Sequence, residues 1–314
     1  MRVSHGLGAV DRRIGPGAVT VGFFDGVHLG HQAVIHRTVA VGRARGLTPT
    51  AVTFDRHPRE VLTPGREPAL LTTLERKADL IARLGIESLV VVPFTEELAA
   101  WPAERFATRV LSAGLAAEYV VVGSNFTFGH GAEGDLAALT GMGARAGFTV
   151  EGVSLVRMEG RQVSSSSIRA ALAGGDLRWP AIALGRRYSV EGTVVPGAGR
   201  GAGLGYPTAN LDVTPRILLP GRGVYAALAI VGGESHPAAV NIGTNPTFGG
   251  DPLHLEAHVL DFAGDLQGCR MTVEFWARLR DEVRFPSAGD LVRQMGLDVE
   301  RARALLAGPR EDAG

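Results

Sequence analysis

A change of texture partway along the chain constrains its fold more than any other feature. Up to about Leu155, short apolar runs at 18–24, 50–54, 88–92 and 119–123 alternate with helical patterns at 28–45, 74–84 and 103–111. Near-continuous Val-rich runs separated by amphipathic helices specify a parallel sheet covered on both faces, an α/β doubly wound domain. After a helical stretch at 167–184 the helices stop. Short strand candidates follow at 188–195, 223–231, 238–242, 255–262 and 270–276, punctuated by Gly and Pro. Strands with turn signals and no intervening helices predict a small antiparallel β-barrel or sandwich. Helices at 287–294 and 299–306 close the chain, and the Arg/Asp/Glu-rich tail after Ala307 reads as frayed. The expected boundary lies near 184–187, dividing the chain into domains 1–185 and 186–314. No internal repeat is visible.

Composition narrows the function class. The formal net charge is zero, so no basic field favours nucleic acid or an anionic membrane. Small-molecule chemistry is the expectation. Cys269 is the single cysteine, which rules out an internal disulfide and fits a reducing compartment. The first residues lack an apolar signal core and the longest apolar runs are too short to span a bilayer, so a cytoplasmic protein is expected. Lys77 is the only lysine. A Walker P-loop, which needs Gly-Lys-Ser/Thr, is therefore excluded, and phosphate chemistry must run on Arg, His, backbone N–H groups and metal.

The strongest local signal is Gly22-Phe23-Phe24-Asp25-Gly26-Val27-His28-Leu29-Gly30-His31, where the first strand ends and the first helix begins. A doubly wound fold binds ligands there, because helix N-terminal N–H groups and the macrodipole favour phosphate. His28 and His31 fall on one face of the first turn, and Gly30 allows a phosphate or ribose close to the backbone. The same pair would also suit two helix-capping histidines; no Cys or carboxylate cluster accompanies it to make a zinc site. His28-Leu29-Gly30-His31 matches the H-x-G-H signature of nucleotidyltransferases. Further along, Ser164-Ser165-Ser166-Ser167-Ile168-Arg169 offers hydroxyls to cap a helix and bind phosphate, with Arg169 able to neutralise a departing pyrophosphate. By itself it is an N-cap and a surface arginine.

Taken in order, residues 19–32, Thr53-Phe54-Asp55-Arg56-His57-Pro58, the segment 122–129 around Asn125, and 163–169 resemble conserved segments of the prokaryotic bifunctional riboflavin kinase/FAD synthetase family. Gly205-Tyr206-Pro207-Thr208-Ala209-Asn210 is similar to that family's flavokinase motif. It is followed by Gly223-Val224-Tyr225, by Asn241-Ile242-Gly243-Thr244-Asn245-Pro246-Thr247-Phe248 and by Leu255-Glu256-Ala257-His258. The resemblance runs from about Val19 to Leu306. It implies an N-terminal FMN adenylyltransferase and a C-terminal riboflavin kinase using ATP, riboflavin and FMN as substrates and Mg²⁺ as cofactor. In the first domain it implies ATP binding by Gly22, Phe24, Asp25, His28, Gly30, His31, Ser164, Ser165 and Arg169, and flavin placement by His57 and Asn125. His28, His31 and Arg169 would act on the phosphates in catalysis. In the second domain it implies ATP binding by Gly205, Pro207, Thr208 and Asn210, with Thr208 and Asn210 as metal ligands or orienters. Asn241 and Glu256 would contact flavin, and Glu256 would be the general base. The Gly-rich stretch 196–205 would wrap phosphate with backbone N–H groups.

Four positions depart from the family pattern: Phe23 stands where Asn is frequent, Arg56 for Pro, Ser166 for Thr, and Ala202 for a basic residue, for which Arg200 could substitute. Rival readings are a chain with one working module, an adenylyltransferase for a nicotinamide or pantetheine phosphate, and a catalytically silent flavin-binding regulatory protein. The Pro-Thr-Ala-Asn segment argues against the second. The intact His28, His31, Thr208, Asn210 and Glu256 argue against the third. Self-association as a homo-oligomer and transient contact with flavin-requiring apoproteins are further expectations.

Overall fold

The computed structural model describes residues 1–6, 8, 16–197, 200–244 and 253–307, in two compact units, Met1–Ser165 and Ser166–Gly314. In the first unit, strands β1 (Arg2–His5), β2 (Gly17–Val21), β3 (Thr48–Phe54), β4 (Ser88–Val92), β5 (Ala117–Gly123) and β6 (Thr149–Val153) form one parallel sheet in the order β1-β4-β3-β2-β5-β6. Its helices are α1 (Leu29–Arg45), α2 (Pro58–Leu62), α3 (Leu74–Arg83), α4 (Glu96–Ala99), α5 (Ala103–Phe106) with a π-helical continuation Ala107–Gly114, and α6 (Leu136–Ala146). A small hairpin pairs β7 (Arg157–Met158) with β8 (Arg161–Gln162).

The Val-rich runs explain this sheet. Successive strand side chains point to opposite faces, and here both faces are buried. Val19, Val90, Val92, Val120 and Val122 pack with Phe106, Val110 and Leu111 of α5 and its continuation. Ala51, Leu89 and Val91 pack on the other face with Ile35, Val39 and Ile81 of α1 and α3. β2 lies between β3 and β5, so the chain winds one way through β3 and the other way through β5. The crevice beyond the C-terminal ends of these three strands is the topological switch point where such folds take ligands.

The second unit contains α7 (Ser165–Ala173, whose first residue closes the first unit) and α8 (Arg178–Leu184), then β9 (Ser189–Val195), α9 (Arg200–Gly203), β10 (Ala209–Val213), β11 (Gly223–Val231), β12 (Glu234–Gly243), β13 (His254–Val259), β14 (Arg270–Arg280) and α10 (Ala288–Leu306). The six strands close into an antiparallel barrel in the order β10-β13-β12-β11-β14-β9, with β9 pairing back to β10. α10 packs on the barrel with Ala302 against Val224, Ala226 and Leu279.

Several elements differ from the sequence expectations. The first long strand ends at Val21 rather than residue 24, because Phe24 and Val27 adopt left-handed φ of 53° and 42°. The helical stretch expected at 167–184 is built of two helices: Gly175 turns left-handed at φ 76°, where a Cβ would stand 2.8 Å from Arg278 Nε. Asp176 Oδ1 then accepts from the Arg178 and Trp179 amides to start α8. Conversely, the two expected C-terminal helices are one, α10, which runs through Gly296 without interruption. β13 stops at Val259, not 262, and Asp261 beyond it has a left-handed φ of 56°. β1, α2, α4, α6, β6, β7, β8, α9 and β10 are additional. Residues 245–252, which include Asn245-Pro246-Thr247-Phe248, and the tail beyond 307 lie outside the described residues. Among the described residues, no helix is long and apolar enough to cross a membrane.

Candidate active sites

At the switch point, the segment from Gly22 to His31 leaves β2 in a contorted loop. Phe24, Gly26 and Val27 all have positive φ, a conformation that costs on the order of 1–3 kcal/mol per non-glycine residue and persists only where surrounding contacts enforce it. Those contacts are present. The buried Asp25 carboxylate accepts from the backbone amides of Leu71 and Thr72 at 2.9 and 3.2 Å, and Gly26 N–H donates to Thr72 Oγ1. Ser165 Oγ, at the start of α7, donates to the Asp25 carbonyl at 3.0 Å. Asp25 therefore faces inward as the loop's anchor, and Ser165 latches the same loop from the chain segment that carries Ser164.

His28 caps α1: its Nδ1 accepts from the His31 amide at 3.3 Å, so any ring proton sits on Nε2. The two imidazoles stack, centroids 3.6 Å apart and 17° from parallel. A Cβ on residue 30 would lie 3.1 Å from the His28 ring, so Gly30 makes room for that stack. His31 Nδ1 is shut off from solvent and has no hydrogen-bond partner. Burial first, then the neighbouring His28 and Lys77, hold His31 well below the usual imidazole range. It is a neutral ring at pH 7 in a helix N-terminus that favours anions.

His57 follows the end of β3 and caps α2, its Nδ1 accepting from Arg59 N–H at 3.1 Å. Its ring meets the Phe23 ring edge-on at 4.9 Å. The exposed Asn125 follows the end of β5, the other strand flanking β2. The structure thus brings the loops carrying His28/His31, His57 and Asn125 to the C-terminal ends of three adjacent parallel strands. Arg169 lies one helical turn along α7 from Ser165 and falls in the second compact unit. Of the departures, Arg56 pairs with Asp55 at the surface and Ser166 is exposed. The side chains of Arg200 and Ala202 are outside what the structure describes.

In the second unit a cavity of about 400 Å³ opens between the barrel and α10. Thr208, Asn210, Asn241 and Glu256 all line it. Register explains the convergence: Glu256 on β13 stands opposite Asn210 on β10 and opposite Asn241 on β12. Thr208 Oγ1 lies 3.5 Å from Glu256 Oε2. A Cβ on residue 197 would sit only 2.0 Å from Asn210 Nδ2, so the Gly-rich segment must cross that amide as glycine. Gly205 supplies a left-handed turn at φ 84° and the Pro207 carbonyl is 2.8 Å from His258 Nδ1; neither residue lines the cavity.

Residues that sequence motifs did not single out complete the wall. Arg280 makes a bidentate ion pair with the buried Asp298 of α10, with contacts of 2.8 to 3.1 Å, and Gln294 donates to the same carboxylate at 2.9 Å. Nothing in the sequence signalled this wall, because Gln294 ends one expected helix and Asp298 falls between the two; the spacing of four lies on one helix only in the structure. Hard oxygen donors, the Glu256 carboxylate and a glycine-crossed rim make this cavity suitable for a nucleoside triphosphate with a divalent cation.

Comparison with known proteins covers both halves of the chain. A family model for FAD synthetase matches residues 12–167 and one for riboflavin kinase matches 184–306. A bifunctional riboflavin kinase/FMN adenylyltransferase from Pseudomonas fluorescens is 40% identical over 289 residues, covering 92% of each chain. One from Escherichia coli K12 is 35% identical over 305 residues, covering 96% of this chain and 97% of the relative. A crystal structure described as a macrolide-efflux protein from Streptococcus pneumoniae superposes with a TM-score of 0.87 over 96% of this chain and 99% of that one, at 28% identity. With both family models in tandem and relatives of this identity spanning nearly the whole sequence, the chain belongs to the bifunctional riboflavin kinase/FMN adenylyltransferase family.

Proposed function

We propose that this protein phosphorylates riboflavin to FMN in the barrel cavity and adenylylates FMN to FAD at the His28/His31 loop, using ATP in both steps. The observation that carries the first assignment is the convergence of Thr208, Asn210, Asn241 and Glu256 on one cavity. Glu256 takes the proton of the riboflavin 5′-hydroxyl as that oxygen attacks the γ-phosphorus of ATP and ADP leaves. Thr208 and Asn210 offer neutral hard oxygens beside a carboxylate, a donor set that suits Mg²⁺. When bound, Mg²⁺ offsets phosphate charge. Asn241, opposite Glu256, orients the flavin.

In the second reaction an FMN phosphate oxygen attacks the α-phosphorus of ATP and pyrophosphate leaves, so no protein nucleophile is needed and positioning with charge stabilisation does the work. His28 and the neutral His31 hydrogen-bond the nucleotide phosphates, aided by the N-terminus of α1. Gly22, Phe24, Asp25 and Gly30 shape the loop, Ser164, Ser165 and Arg169 serve the leaving pyrophosphate, and His57 and Asn125 place FMN. The proposed modules are 1–185 and 186–314; the two family models support them, one ending before and one beginning near residue 185. Cytoplasmic location, self-association and transient contact with flavin-requiring apoproteins belong to the same proposal. The test is incubation with riboflavin, ATP and Mg²⁺, resolving riboflavin, FMN and FAD by chromatography over time. FMN first and FAD second is the expected order; FMN alone would leave a kinase beside an inactive first module, and no product would point to a silent binder.

A further inference from the structure

Lys77, the only lysine, is 3% exposed on α3. Its Nζ lies 3.9 Å over the face of the Phe23 ring and 3.5 Å from Thr53 Oγ1, which in turn donates to the Phe23 carbonyl. Phe23 follows β2 and Thr53 is next to the last residue of β3, so the ammonium sits at the C-terminal ends of two adjacent strands, under the loop that carries the histidines. Asp25 attracts it and His31 lies within its field; His28 is stacked on His31, and the His57 ring meets the Phe23 ring edge-on. A cation over an aromatic face is stabilised further when water is excluded, but burying an ammonium is costly unless it is paired and hydrogen-bonded. Both substrates of adenylyl transfer are polyanions.

We propose that Lys77 is a positioning residue for adenylyl transfer, its ammonium lodged between Phe23 and Thr53 to fix the histidine loop and give it the positive charge toward which the phosphates are drawn. Phe23 is then the lid that holds the cation in place. The inference rests on the reading of His28 and His31 as the adenylylation site. Burial lowers the Lys77 amine to about 8, against the pull of Asp25. The charged form is the working one, so kcat/KM for ATP in FAD formation falls as pH rises through that value. Bound triphosphate raises the amine again, so the limb in kcat lies at higher pH than the limb in kcat/KM.

The experiment measures FAD formation from FMN and ATP between pH 6.5 and 10 for the full-length wild type, Lys77→Met, Lys77→Arg and His28→Ala, with riboflavin phosphorylation by the same samples as the control for folding. Lys77→Met is expected to lose tenfold or more in kcat/KM at pH 7, with a flattened alkaline limb and kinase activity within twofold. Lys77→Arg, charged throughout, is expected to retain activity and push the limb upward. Wild-type rate and limb in Lys77→Met beside an inactive His28→Ala overturn this inference alone. FAD formation retained in both variants overturns it together with the site assignment. A limb unmoved by Lys77→Arg overturns it as well.

Discussion

His28 and Glu256 carry the division of labour at the scale of single residues. His28→Ala removes a stacked, helix-capping imidazole and is expected to abolish FAD formation from FMN while riboflavin phosphorylation continues. Glu256→Ala removes the carboxylate beside Thr208 and is expected to do the reverse, cutting FMN formation by about 10²–10⁴-fold, as loss of a general base does, with FAD still made from supplied FMN. Chromatography of products from each variant checks both. Lys77 adds a stability effect of opposite sign to its proposed role. Its amine is lowered from 10.5 to about 8 on folding, so the unfolded chain binds more protons between those values and wild-type stability rises with pH across that window. Below pH 8 the full cost applies, roughly 3 kcal/mol at 1.36 kcal/mol per unit. Lys77→Met is therefore expected to raise the melting temperature at pH 7, with the gain fading toward pH 10.5, as thermal unfolding at several pH values will read.

At the scale of elements, α10 is joined to the barrel by the Arg280–Asp298 pair, with the two side chains 20% and 8% exposed. Removing one partner of a buried pair strands the other charge, at a cost of about 3–5 kcal/mol. Asp298→Ala should loosen α10, lower melting temperature and raise the riboflavin KM, while adenylylation of supplied FMN is unaffected; kinetics of both reactions decide it. The elements that were legible in the sequence are those with a strong local pattern: β3, β4 and β5 as continuous apolar runs, α3 from its apolar spacing, and α1 from the turn and histidine pair that open it. α6 was hidden because Leu136–Ala146 contains Gly141 and Gly143, and Gly143 is there because a Cβ would meet Phe148 O at 2.6 Å. β10 was hidden inside a motif that reads as a turn. The motif residues His28, His31, Thr208, Asn210 and Glu256 stood out in the sequence as candidates, whereas the positions of Lys77 beside Phe23 and of Arg280 and Asp298 at the cavity follow from long-range packing that no local pattern shows.

At the scale of the whole molecule, the proposed function gives the parallel-sheet switch point and the closed barrel one triphosphate site each, with FMN the product of one reaction and the substrate of the other. Chelating divalent cations with EDTA is expected to stop FMN production from riboflavin and FAD production from FMN together, and added Mg²⁺ to restore both; activity surviving chelation would remove the metal from the mechanism. The wall that α10 contributes to the kinase cavity, through Leu291, Met295, Asp298 and Val299, has a consequence during synthesis. Domains fold from the N-terminus as the chain emerges from the ribosome, so the switch-point site is complete long before the last helix of the barrel has been translated. The module for the second reaction is made first, and a nascent or prematurely terminated chain lacking residues 288–306 would convert ready-made FMN to FAD without being able to supply its own.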